Sequence, residues 1–228
     1  MTAPGMTALG EALAKARAEH RAALIGYLPV GYPSVDVSIE AMRAMVAGGA
    51  DVIEVGVPYS DPVMDGPTIQ AAAEPAVRAG VGIADALRAV SAVAEAGAAA
   101  VIMSYWNPIE RYGVERFATD LAAAGGAGMI TPDLIPDEAA AWLAASDKHG
   151  LDRIFLVAPS STDARIVSTA AASRGFVYAT AVMGVTGARA SVGGAAADLV
   201  ARVRALAPDS CVCVGLGVSS GAQAAEVA

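Results

Sequence analysis

Short apolar runs alternate with longer, alanine-rich amphipathic stretches along this chain. The short runs are rich in Val and Ile and too brief for helices, which marks them as strands. They predict strands over 22–28, 51–57, 98–104, 128–131, 153–157, 176–182 and 210–214. The amphipathic stretches predict a leading helix over 6–21, then helices over 34–47, 67–79, 83–96, 114–124, 137–146, 163–173 and 194–206, with a last one starting near Ser220. Ser34 and Thr162 stand where a helix cap belongs, and Gly48-Gly49 is a helix stop. Tyr105-Trp-Asn-Pro108 and Arg111-Tyr-Gly113 read as loop. Pro67 suits a first helical turn, whereas Pro75 falls inside the same helix and should bend or break it.

Strict strand–helix alternation implies a parallel sheet. The Gly-, Pro- and Asp-rich segments follow strands, and in a barrel those loops share one face. No Gly-x-Gly-x-x-Gly follows the first strand, as a doubly wound nucleotide-binding sheet would favour. The expected fold is therefore an α/β (β/α)8 TIM barrel, one domain over residues 1–228, with seven strand–helix units. An eighth unit is missing from the pattern, and such barrels typically run to about 250 residues.

Composition narrows the class. Of the 228 residues 55% are hydrophobic and 17% charged, enough for a well-buried core. A net charge of −8 argues against nucleic acid and anionic membrane as partners. It leaves room for a local phosphate site built from backbone N–H groups. Cys211 and Cys213 read as buried thiols in a reducing compartment. With no basic-then-apolar leader over residues 1–10, the expected location is the cytoplasm.

The chemistry gathers in the stretch from Asp51 to Gln70. Glu54 interrupts the apolar run of Val52, Ile53, Val55 and Val57, and a carboxylate there is costly unless it is paired, solvated or used. Asp65 lies in the loop above that strand, among two prolines and a glycine. Together they form a candidate acid–base pair around one substrate. Gly184-Val-Thr-Gly187 and Gly215-Leu-Gly217 follow two late strands, where barrels often hold phosphate. Tyr27, Tyr59, Tyr105 and Tyr178 sit near strand ends and could line a flat apolar pocket. Asn107 and Asp133 read equally well as turn residues. There is no Ser/His/Asp arrangement and no metal motif, and the two lysines, Lys15 and Lys148, lie on helices, which argues against a Schiff-base aldolase.

The segment from Glu54 to Gln70 resembles the signature of the tryptophan synthase alpha subunit family. Gly31-Tyr-Pro33, Tyr105 to Pro108, Arg111 to Gly113, Pro132-Asp-Leu134, Val157 to Asp163, Gly184 to Arg189 and Gly215 to Gly217 support it, from about Leu24 to the end. The resemblance implies retro-aldol cleavage of indole-3-glycerol phosphate to indole and glyceraldehyde 3-phosphate. It implies Glu54 as general acid and base and Asp65 as the group stabilising the indolenine nitrogen. It places Tyr27, Tyr105, Tyr178, Thr186, Gly187 and Gly217 against the substrate. It implies no cofactor in this chain, a beta subunit carrying pyridoxal phosphate as partner in an alpha-2 beta-2 complex, and docking through Asp61, Pro62, Asn107 and Pro108. Against the family pattern, the eighth strand and its Gly-Ser turn are absent, and Tyr27 stands where many members have Phe. Two other readings stay open: an alpha chain that only docks on and activates a beta subunit, and another phosphate-binding barrel isomerase.

Overall fold

The computed structural model describes residues 6–180, 194–215 and 220–227. Its elements run α1 (Ala8–Ala18), β1 (Ile25–Pro29), α2 (Val35–Ala47), β2 (Val52–Gly56), α3 (Pro67–Arg78), α4 (Ile83–Glu95), β3 (Ala99–Met103), α5 (Trp106–Tyr112) and α6 (Val114–Ala123). There follow β4 (Gly128–Thr131), a 3-10 turn (Pro136–Glu138), α7 (Ala140–His149), β5 (Asp152–Val157), α8 (Asp163–Ala172), β6 (Val177–Thr180), α9 (Gly194–Leu206), β7 (Val212–Gly215) and α10 (Gly221–Val227).

The seven strands pair in parallel and lie side by side in sequence order. A doubly wound sheet reverses its order at a switch point. An order that never reverses is that of a barrel wall. Among the described residues no ladder joins β7 to β1.

Side-chain alternation assigns the two faces of each strand. Ile53, Val55, Ala100, Ile102, Met129 and Phe155 point outward and share one large cluster with Met42, Val90, Phe117 and Trp142 of the helices. Val52, Val101, Ile130, Ile154 and Phe176 point inward and pack around Leu9 of α1. Strands buried on both faces read as continuous apolar runs, which is why the alternation was invisible in the sequence. Thr7 fastens α1 across the floor of the wall. Its Oγ1 accepts from Gly10 N–H at 3.1 Å and donates to Asp152 Oδ2 at 2.5 Å. Asp152 is buried and also faces Arg174.

Several local expectations are corrected. Residues 106–112 form the helix α5 rather than loop. Pro108 is the third residue of that helix, where a missing N–H costs nothing because first-turn N–H groups have no intrahelical acceptor. Pro75 does not break α3, which runs unbroken to Arg78. Pro75 and Ala71, whose carbonyl loses a partner, are both exposed, so water can replace the missing bond. The helix expected over 137–146 starts later, at Ala140, after the 3-10 turn that Pro136 opens. The leading helix is also shorter than expected, and β1 begins at Ile25. Among the described residues no helix is long and apolar enough to cross a membrane.

Candidate active site

Parallel register sets Tyr27, Glu54 and Val101 side by side on β1, β2 and β3. Val52 and Val101 face the interior, so Glu54 faces it too. Its side chain is 5% exposed, and Oε1 has no hydrogen-bond partner among the described residues. Among the described residues no cation pairs with it, and its titratable neighbours are Tyr27, Tyr178 and Cys213. Burial alone raises its pKa from 4.5 to about 7. A carboxyl so placed is populated in both protonation states near neutrality, which suits a group that must give and then take a proton.

The loop after β2 brings Asp65 over the same end of the wall. Asp65 is partly buried and accepts a 3.0 Å hydrogen bond from the Tyr105 hydroxyl. Burial raises its pKa, and the Tyr105 bond opposes that rise. Tyr27, Val57, Asp65, Met103, Ser104, Tyr105 and Pro132 line one narrow cleft. The structure thus brings Tyr27, Tyr105 and Asp65 together, with Glu54 beside Tyr27 in the wall. Tyr178 comes from β6, its ring 6.1 Å from Phe176, and burial pushes its hydroxyl well above the usual range. Thr186, Gly187 and Gly217 lie outside the described residues.

Two glycines decide where the tyrosine rings lie. A Cβ on Gly56 would sit 2.6 Å from the Tyr27 hydroxyl oxygen, and one on Gly215 would collide with the Tyr178 ring. Each ring therefore occupies the space beside the glycine of a neighbouring strand that a side chain would fill. Gly56→Ala would drive the Tyr27 ring off its seat and toward the cleft. A displacement of this kind near reacting atoms can cost up to about 10²-fold. The expected result is a drop of about 10-fold or more in kcat/KM, recovered in part by Tyr27→Leu in the same chain. Unchanged kcat/KM for Gly56→Ala would show that the ring position is unimportant.

The rim residues Asp61, Pro62, Asn107 and Pro108 are exposed or partly exposed. Asp61 accepts from the Ser60 hydroxyl, and Asn107 Nδ2 donates to the Tyr59 hydroxyl at 3.0 Å. Beside them Val63 is 71% exposed. Sequence reasoning gave several neighbours no role at the site. Met103, Ser104 and Pro132 join the cleft without any chemical signature of their own. Asp133 accepts from Trp106 N–H at 2.9 Å and so anchors the start of α5. Cys213 lies within the field of Glu54, and burial pushes its thiol up to about 12. Its register partner on β6 is Tyr178, and that pairing, which no sequence motif announces, sets the face it shares.

Comparison with known proteins shows the family. Residues 13–228 match the family model described as tryptophan synthase alpha chain. This chain belongs to the tryptophan synthase alpha chain family. It is 65% identical over 225 residues to the tryptophan synthase alpha chain of Thermobifida fusca, covering 98% of this chain and 83% of that protein. It is 64% identical to the alpha chain of Mycobacterium tuberculosis, covering 96% and 81%. Among solved structures, M. tuberculosis tryptophan synthase superposes with a TM-score of 0.92 at 62% identity, covering 97% of this chain and 84% of that one. The alpha subunit of Legionella pneumophila superposes at 0.85 with 29% identity, covering 98% and 84%. The family's (β/α)8 barrel is thus the fold of this chain, with seven strands described.

Proposed function

We propose that this chain cleaves indole-3-glycerol phosphate to indole and glyceraldehyde 3-phosphate by a retro-aldol reaction. The observation that carries the reading is Glu54: an inward-facing buried carboxyl, unpaired at Oε1 among the described residues, with a pKa of about 7. Protonated Glu54 gives its proton to the indole carbon that bears the side chain, and the ring nitrogen becomes a cationic indolenine. Asp65, ionised, stabilises that positive charge. The Glu54 carboxylate then takes the proton of the adjacent side-chain hydroxyl. The C–O bond becomes a carbonyl, the carbon–carbon bond breaks, and its electron pair returns to the ring and neutralises the nitrogen. Proton transfers and the indole ring as electron sink suffice, so the step needs no cofactor from this chain. Tyr27, Tyr105 and Tyr178 would flank the ring, and Thr186, Gly187 and Gly217 would serve closure and the phosphate.

Incubating the chain with indole-3-glycerol phosphate, alone and with a beta subunit, and following indole and glyceraldehyde 3-phosphate together tests the reaction. Absence of both products in both mixtures would end the reading. Indole formed without the aldehyde would exclude the retro-aldol step.

A beta subunit carrying pyridoxal phosphate is the proposed partner, docking on the rim formed by Asp61, Pro62, Asn107 and Pro108. Exposure of these residues together with Val63 supports that surface. Asp61→Ala with Asn107→Ala should weaken activation of the beta subunit in a titration. Removing exposed polar contacts typically costs about 1 kcal/mol each, so a shift of about 10-fold or more in the midpoint is expected. An unshifted titration would move the interface elsewhere. The family match over residues 13–228 favours this reading over a different phosphate-binding isomerase.

A further inference from the structure

We propose that Tyr105 is a positioning residue that clamps Asp65 and its loop in one geometry, with Tyr59 and Asn107 bracing the Tyr105 ring from the rim. The proposal rests on the reading of Asp65 given above as the group that stabilises the indolenine nitrogen.

The Tyr105 hydroxyl makes two bonds to the loop after β2. It accepts from Met64 N–H at 3.0 Å and donates to Asp65 Oδ1 at 3.0 Å. A phenol has one proton, and here that proton is committed to the carboxylate. The same oxygen therefore fixes the loop backbone and the side chain that follows it. Gln70 Nε2 holds the Asp65 carbonyl at 2.7 Å, so the residue is tied at both its backbone and its carboxylate.

The ring of Tyr105 is held in turn. Its centroid lies 5.2 Å from that of Tyr59, tilted by 34°. The Tyr59 hydroxyl takes the 3.0 Å bond from Asn107, two residues after Tyr105. Asp133 on Trp106 N–H anchors the start of α5 between them. Two loops are thus stitched together by two tyrosines, and a line of direct contacts runs from Asn107 on the rim to Asp65 in the cleft. Such a contact path lets the state of the rim reach Asp65 without movement of the barrel wall.

The titratable groups facing Asp65 are Tyr105 from the loop after β3 and Tyr27 from β1. Tyr27 acts only through space, while the Tyr105 bond favours the ionised carboxylate. Tyr105→Phe keeps the ring that packs on Tyr59 and removes only the oxygen.

The test compares wild type, Tyr105→Phe, Asp65→Asn and the double variant in single-turnover cleavage of indole-3-glycerol phosphate with enzyme in excess. Tyr105→Phe should slow cleavage by about 10- to 100-fold with KM little changed, the worth of one hydrogen bond to a charged group. In the Asp65→Asn background the same substitution should add almost nothing. Tyr59→Phe, which keeps the ring contact, should change the rate by less than about 3-fold, a bond at an exposed site being worth under 1 kcal/mol. A carbon-13 carboxyl titration of Asp65 gives a readout independent of turnover, and Tyr105→Phe should move it upward. Additive losses in the double variant, or an unmoved Asp65 titration, would overturn the clamp. Failure of the wild type to release indole would instead overturn the functional reading, and the titration would still judge the clamp.

Discussion

Glu54→Gln is expected to lower indole release by about 10²–10⁴-fold or more, the usual worth of a general acid or base, because one group serves two proton transfers. Gln matches Glu in shape, so substrate binding and KM should change little. The buried site supplies no obvious substitute: Tyr27, Tyr178 and Cys213, its titratable neighbours, are all pushed upward and stay protonated near neutrality. Turnover near that of wild type in a steady-state assay would remove Glu54 from the mechanism. The same substitution should stabilise the fold. The folded pKa of about 7 lies above the unfolded value of 4.5, so between these values the folded chain holds more protons than the unfolded one. Stability then falls as pH rises through that window, and the loss is complete above it. The cost is at most roughly 3–4 kcal/mol, from about 1.4 kcal/mol per pKa unit. Gln carries no charge to bury, so Glu54→Gln should melt higher than wild type above pH 7 and equally below pH 4.5. Equal melting at both ends would mean that the carboxylate is solvated when ionised.

Asp65→Asn should lower kcat by about 10²–10³-fold, comparable to losing one preorganised electrostatic contact to a developing charge. Asn keeps the acceptor for Tyr105 and the fixed loop, so the ground-state geometry survives while the negative charge does not. The pH profile should separate the two acids. Asp65 must be ionised, and burial raises its pKa, so wild-type activity falls on the acid side as that carboxylate gains a proton. Glu54 must begin protonated, so kcat/KM falls on the alkaline side through about pH 7. Asp65→Asn should erase the acid limb and leave the alkaline one in place. A raised KM with kcat intact would make Asp65 a binding group only.

Much of this was legible locally. The caps at Ser34 and Thr162 receive N–H bonds from Val37 and Arg165 as their residue types require. The Gly48-Gly49 stop appears with Gly49 at a φ of 99°, a backbone that glycine tolerates. Alternation of strand and helix announced the parallel sheet, and a lone Glu in an apolar run marked the position of a buried carboxyl. The expectation of loop over residues 106–112 failed for a local reason as well. Asn107-Pro108 is a common turn signal, yet proline in a first helical turn gives up a bond that does not exist there.

What sequence alone determined, then, is the set of elements, their parallel order and the residue types fit for proton transfer. All of these depend on neighbours within a turn or a strand. Tertiary structure alone decided that Glu54 turns inward beside Tyr27, that its Oε1 is left without a partner among the described residues, and that Tyr105 reaches Asp65 across forty residues of chain. It also decided that the space beside Gly56 is taken by the Tyr27 ring. Those facts follow from strand register and the curl of the wall, and both are set by packing between distant segments. A pKa near 7 at Glu54 is the product of such packing: the sequence supplies the carboxyl, and the burial that shifts it comes from strands and side chains gathered from the whole length of the chain.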